Sequence, residues 1–148
     1  MTNQTPPSSL DAVLQFIRSQ SVAVQASVSS ADTPQAAVVG FVVTDSFEIF
    51  FDTVDSTRKA ANLRANPSIA FVIGGLEERT VQLEGIADEP RGEELERLKE
   101  LYFSRFPEGR ERLKWPGLIY VRARPTWLRF SDFNRTPPEI VEFDFPTN

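Results

Sequence analysis

The stretch from Phe50 to Gly85 reads FFDTVDSTRKAANLRANPSIAFVIGGLEERTVQLEG, and its first third carries the most information. An apolar, alternating run ends at Thr53. Ser56, Thr57, Arg58 and Lys59 follow, directly before the helix-forming run AANLRA. Hydroxyl and cationic side chains therefore crowd one helix start. Unpaired backbone N–H groups and the positive end of the helix dipole favour an anion there. Arg58 and Lys59 add full charges able to hydrogen-bond phosphate oxygens. Physically, this strand-to-helix junction is a candidate phosphate site. The bland reading is a capped surface helix with two solvated cations, Thr53 closing the strand and Ser56 capping the helix.

Composition narrows the chemistry. A chain of 148 residues is expected to form one domain. With 41% hydrophobic residues and 12 Phe it has ample material for a core. A net charge of -5 and a pI of about 4.8 argue against a general nucleic-acid surface. The chain has no Cys and no His. Disulfides, Cys nucleophiles, imidazole bases and the usual zinc ligand sets are therefore excluded, and no metal site is expected. The N-terminal MTNQTPPSS has no apolar signal core, and no apolar run approaches the ~20 residues of a membrane helix. A cytoplasmic protein without membrane partners is the expectation. An enzyme of this composition needs a cofactor to supply its chemistry.

Outward from the opening stretch, residues 1–7 read as a disordered tail, and Ser8-Ser9-Leu10-Asp11 as a capping box. Leu10, Val13, Leu14 and Ile17 share a helical face. A strand is expected near Val22–Ser29, with Ala31 to Pro34 as the turn. Ala36–Thr44 is nearly continuous in apolar residues and reads as a strand buried on both sides. Along Phe47–Thr53, Phe47, Ile49 and Phe51 face one way and Glu48, Phe50 and Asp52 the other. The short helix from about Ser56 stops at Asn66-Pro67. Strands follow at Ser68–Ile73 and Thr80–Ala87, where Gly85 marks a bulge or a close backbone approach. Pro90 and Glu93-Glu94 open a helix whose stripe is Leu95, Leu98, Tyr102 and Phe106, with Glu93 and Arg97 as an i,i+4 pair. Leu118–Ala123 and Thr126–Phe130 are the last strands. Residues 137–148 read as a C-terminal tail, with IVEFDF as an optional added strand, leaving 8–136 as the domain. This pattern fits a small β-barrel or a sandwich, and periodicity does not separate the two.

The ordered series Phe51, Thr53, Ser56, Arg58, Lys59, Leu63, Asn66, Pro67, then Arg79, Val81, Glu84, Gly85, resembles the FMN-binding split barrels related to pyridoxamine 5'-phosphate oxidase. YFSRFP, Tyr102–Pro107, is similar to a further element of those oxidases. The resemblance covers roughly residues 10–134. It implies a mainly β split barrel with flanking helices, a homodimer, and FMN held between subunits. It places the FMN phosphate on Arg58 and Lys59, with Asp52, Thr53, Ser56 and Thr57 around it. Thr80 stands where the oxidases have a ring-contacting Gln, and Gln82 faces the same side two residues on. Trp115, Tyr120 and Trp127 are candidates to pack beside the flavin of the second subunit, the bland reading of each being a core or dimer-interface aromatic. Glu84 is read as structural.

Departures from the family pattern are as informative. The basic strand that runs along the flavin in the oxidases is here the uncharged AAVVGFV, Ala36–Val42. Where they carry a Trp and an R-x-H segment, this chain has WLRFSDFNRTPP, with Ser131 at about the Trp position. A vitamin-phosphate substrate site is not implied. No side chain is singled out as a catalytic acid or base. The resulting expectation is an FMN-dependent oxidoreductase acting on an unidentified small-molecule substrate or electron donor. A non-catalytic flavin or heme binder, a deazaflavin protein and a cofactor-free dimeric scaffold stand as alternatives.

Overall fold

A computed structural model of the chain describes residues 6–146. The first five residues of the expected N-terminal tail, and the last two of the C-terminal one, lie outside that range. Helix α1 (Leu10–Arg18) is capped by Ser9, whose hydroxyl accepts from the Ala12 N–H at 3.2 Å. Ser8 instead binds the Glu139 carboxylate, so the expected reciprocal box does not form. Strands β1 (Val22–Val28) and β2 (Pro34–Gly40) make a hairpin closed by Asp32 in the left-handed region. Then come β3 (Val42–Val43), β4 (Ile49–Val54), α2 (Arg58–Ala65), β5 (Ser68–Gly74) and β6 (Arg79–Asp88). Helix α3 (Gly92–Arg105) leads into a 3₁₀ segment, Pro107–Lys114, that sequence periodicity did not announce. The chain ends in β7 (Leu118–Asp132) and β8 (Glu139–Asp144).

The strands form one antiparallel sheet in the order β2-β1-β5-β6-β7-β4-β3, with β8 also on β7. Strand β7 organises it. Its first half pairs with β4, its second half with β8, and β6 runs along its other edge. The sheet curls into a split β-barrel with helices at its flanks. Three expectations change here. Leu118–Ala123 and Thr126–Phe130 are one strand, because Pro125 sits at a register shift opposite Gly85 and the ladder resumes beyond it. Residues 139–144, read as a tail with IVEFDF as an optional added strand, form that strand: they pair along β7 and are tied back by the Glu139 contacts to Ser8 and Arg135. The Ala36–Thr44 run breaks at Phe41: residues 36–40 are buried on one side only, Val38 being 67% exposed, whereas residues 41–44 are buried on both, Val43 in one apolar cluster and Val42 in another.

Two apolar cores result. The barrel interior gathers Val13 and Ile17 of α1, Ile49 and Phe51 of β4, Leu63 of α2, and inward residues of β5, β6 and β7. The second core lies outside the barrel, where Leu98, Tyr102 and Phe103 of α3 cover Val42, Phe50 and Tyr120. Phe50 and Tyr120 stack at 5.4 Å. Arg122 pins this layer. It is buried, and its guanidinium donates twice to Asp88, at 2.9 and 2.7 Å, and to Glu94 of α3. Glu94 thus pairs across elements, whereas the expected Glu93–Arg97 pair does not form. Elsewhere on the outer face, apolar side chains stay exposed. Val38, Val24 and Val72 lie side by side in register across β2, β1 and β5, all exposed. Among the described residues no helix is long and apolar enough to cross a membrane.

At the bulge, a Cβ on Gly85 would stand 2.4 Å from the Arg124 carbonyl oxygen, a backbone atom that cannot swing aside. Gly85→Ala is therefore expected to lower stability by ~1–3 kcal/mol or more, read as a lower urea midpoint. An unchanged midpoint would show that the two strands separate freely there.

Candidate anion-binding site

Strand β4 ends at Val54 and the chain turns through Asp55 and Ser56 into α2. Thr57, not Ser56, is the N-cap. Its hydroxyl accepts from the Ala60 N–H at 3.3 Å and donates to the Val54 carbonyl at 2.8 Å. With its proton committed, it also accepts from the Thr53 hydroxyl at 3.2 Å. Thr53 and Thr57 are thus engaged in building the turn; the bland reading is right about Thr53 but put the cap on Ser56, which is exposed. The Asp55 N–H donates to Gly117 O at 2.8 Å. Gly117 has φ +75° and presses so closely on Asp55 that a Cβ would meet its carboxylate at 2.4 Å. That contact brings the loop with exposed Trp115 alongside the turn.

The electrostatics of α2 run against helix convention. Its first turn holds no acidic residue, and its first two positions are Arg58 and Lys59. Cations at a helix N-terminus are disfavoured by the macrodipole, by a few tenths to ~1 kcal/mol each. Neither forms a salt bridge among the described residues, although most other cations of the chain do. Both line a small cavity of about 100 Å³ with Gln25 and Ser27 of β1 and Gln35 and Ala37 of β2. Buried Asn62, one turn along α2, donates to Ser27 Oγ at 3.1 Å and Gln35 Oε1 at 2.9 Å. This holds the helix start rigidly against the β1–β2 hairpin.

The other expected residues do not join this point. Asp52 faces the α3 side of β4, where it accepts from Tyr102 OH at 3.0 Å and Arg112 Nε at 2.7 Å. Arg112 Nη2 reaches the same hydroxyl at 3.1 Å. Burial, and then the Asp52 charge, push the Tyr102 hydroxyl well above its usual range and Tyr120 up to about 12. Both stay neutral at ordinary pH. Asp52 therefore fastens α3 and the 3₁₀ segment. Thr80 and Gln82 lie on the outer face of β6, opposite Ser131 and Arg129 and beside exposed Val72. One subunit does not bring them to the α2 cavity. Sequence reasoning missed Gln25, Ser27, Gln35 and Asn62. The available signal was polar residues on alternate positions of VAVQASV, a strand otherwise apolar. No cluster of His, Cys, Asp and Glu suited to a metal ion occurs among the described residues.

Comparison with known proteins bears on the whole of this architecture. No curated protein matches the sequence. The heme binding protein from Mycobacterium smegmatis superposes with a TM-score of 0.80 at 16% identity, over 95% of this chain and 60% of that one. The chain thus spans 60% of the length of that relative. HutZ, the heme storage protein from Vibrio cholerae, gives 0.70 at 16% identity over 91% and 93% of the two chains. A pyridoxamine 5'-phosphate oxidase-related, FMN binding protein from Nostoc punctiforme gives 0.67 at 12%, over 97% and 100%. At these identities the likeness is one of fold. Residues 9–130 match the family model described as pyridoxamine 5'-phosphate oxidase. That span runs from the cap of α1 through the long arm of β7, taking in the β4–α2 turn and both arms of the bulge, and the chain belongs to the pyridoxamine 5'-phosphate oxidase family.

Proposed function

We propose that this protein is an FMN-binding flavoprotein, and a flavin-dependent oxidoreductase, that anchors the cofactor phosphate at the start of α2. One observation carries the reading. Arg58 and Lys59 occupy the helix positions where cations are least favourable, with no carboxylate to relieve them, at the edge of a polar cavity. A phosphate placed there turns that repulsion into attraction and fills the unpaired donors of the first turn. The residues present fit such a group, since Arg58, Lys59, the Ser27 hydroxyl and the Gln35 amide all offer hydrogens. A cavity of about 100 Å³ suits a phosphate and the first atoms of its chain, not a flavin ring. The ring would lie beyond it, toward the Trp115 loop and a second subunit. Bound flavin supplies the electron transfer, and the protein holds, orients and shields it.

The uncovered outer face supports a homodimer. Val38, Val24 and Val72 form a continuous apolar row, with Val22 two residues along β1 on the same face, all exposed in the single chain. A second copy buries such a row, and obligate interfaces of this kind commonly exceed ~2,000 Å². In the dimer Thr80 and Gln82, on that same face, become available to the partner's flavin. Heme, bound by two similar folds, is the second reading. The chain weighs against it. It has no His or Cys, and both Tyr are buried in the core between α3 and the sheet, so heme iron would lack the usual axial ligands. We also propose that the vitamin phosphates are not its substrates, since Arg135 is the only cation after Arg129 and no imidazole exists to place them.

Titration with FMN, followed by flavin fluorescence, tests the anchor. Lys59→Ala is expected to weaken FMN about tenfold or more, as a charge-assisted hydrogen bond contributes ~1.5–3 kcal/mol. Riboflavin, lacking the phosphate, should bind the native protein poorly, and equal affinities would contradict the reading. The loaded protein should keep its visible absorbance when pyridoxamine 5'-phosphate is added without oxygen; rapid bleaching would restore the vitamin phosphates as substrates. Light scattering at low micromolar concentration should give twice the 16.7 kDa chain mass, and a clean monomer would remove the second-subunit contribution.

A further inference from the structure

Gln35 gives the α2 cavity a wall of ambiguous chemistry. A carboxamide can show a ligand its oxygen, an acceptor, or its NH2, a donor, and only the donor attracts phosphate. Gln35 is half-buried on β2, directly across the ladder from Ser27, and lines the cavity with Arg58 and Lys59. Its oxygen is engaged, accepting from Asn62 Nδ2 at 2.9 Å. Asn62 lies outside the cavity lining, so this bond commits the oxygen elsewhere. The Gln35 amide nitrogen makes no hydrogen bond among the described residues and is not sealed from the surface. It is the end left for a ligand.

Asn62 is itself fixed. It stands four residues after Arg58 and three after Lys59, hence on the helix face that carries both cations. It is buried, and both hydrogens of its amide are in use, one on Gln35 and one on Ser27 Oγ at 3.1 Å. A reversed Asn62 amide would take the Gln35 NH2 for itself and turn the Gln35 oxygen outward, acceptor against acceptor. An apolar side chain there would leave Gln35 free to adopt either orientation. Gln25 points the same way. It is 1% exposed, lines the same cavity and has no hydrogen-bond partner at either end of its amide. Its oxygen is sealed, so its nitrogen is the end that can meet a ligand. A buried donor left unmade is destabilising, and an acceptor in the cavity relieves it.

We infer that Asn62 is a positioning residue: by holding the Gln35 oxygen it keeps the Gln35 amide nitrogen on the cavity, so the wall facing Arg58 and Lys59 offers donors and selects a group that only accepts, a phosphate dianion. This rests on the phosphate reading of Arg58 and Lys59 and adds to it. Asn62 acts through Gln35 and touches no ligand itself.

The test is a double-mutant cycle of Asn62→Leu and Gln35→Met, each close in size to the native side chain. Asn62→Ala takes the place of Asn62→Leu where leucine is not accommodated. The variants are titrated with FMN and with inorganic phosphate, beside native protein and Lys59→Ala. Each single variant should bind both ligands about five- to tenfold more weakly, the loss of one hydrogen bond. The double variant should be weakened no more than about tenfold, because the second change removes nothing that the first left in place. If Asn62 merely docked α2, its loss would add to that of Gln35, and a double variant weakened by the product of the two single effects would overturn the inference. Unchanged phosphate affinity in either folded single variant would overturn it too, as would a loss seen with FMN and not with phosphate. Lys59→Ala should weaken both ligands, which reports on the anchor apart from Asn62. Native protein binding neither ligand would instead refute the phosphate reading, and the Asn62 assignment with it.

Discussion

Two adjacent positive charges at the wrong end of a short helix set the terms for this molecule. Arg58 and Lys59 open α2 with no acid in its first turn. A helix of eight residues has little intrinsic stability and depends on its docking. That docking comes from Leu63 in the barrel core and from Asn62 bonded to Ser27 and Gln35. The turn before it is braced by Thr57, Thr53 and the Asp55–Gly117 contact. The scaffold therefore holds uncompensated positive charge in a fixed place. A preorganised charge binds an anion without first paying to assemble the site, which is the use the proposed cofactor phosphate would make of it.

The same logic explains β1 and β2. Read as an alternating strand, VAVQASV presents Val22, Val24, Ala26 and Val28 as its apolar face, with Ala23, Gln25 and Ser27 opposite. A simple core rule would turn the valines inward. The fold does the reverse, and the valines lie outside, in register with Val38 and Val72. The inversion makes sense if the inside holds a polar ligand and the outside meets another chain. On β4 the rule works as usual, because both faces are covered: Phe51 by the barrel and Phe50 by α3.

Much of this was legible beforehand. Element order, the inward set Phe47, Ile49 and Phe51, the α3 stripe and the Gly85 irregularity follow from local pattern, which period and glycine placement encode directly. The cluster at the α2 start was legible because its residues are contiguous. What was not legible is what folding brings together from afar. Gln25, Gln35 and Asn62 meet only when the hairpin packs on α2. Asp52, one residue before Thr53, was grouped with it, but strand geometry sends it to the opposite face, to Tyr102 and Arg112. The two-strand reading of 118–130 failed because Pro125 looks like a break when its bulge partner, forty residues earlier in sequence, is not considered.

The central claim is one of location: a phosphate at the start of α2. A crystal structure of the protein grown with FMN tests it most directly. The account predicts phosphate oxygens within hydrogen-bond distance of Arg58 and Lys59. FMN seated elsewhere, with Arg58 and Lys59 turned to solvent, would contradict it.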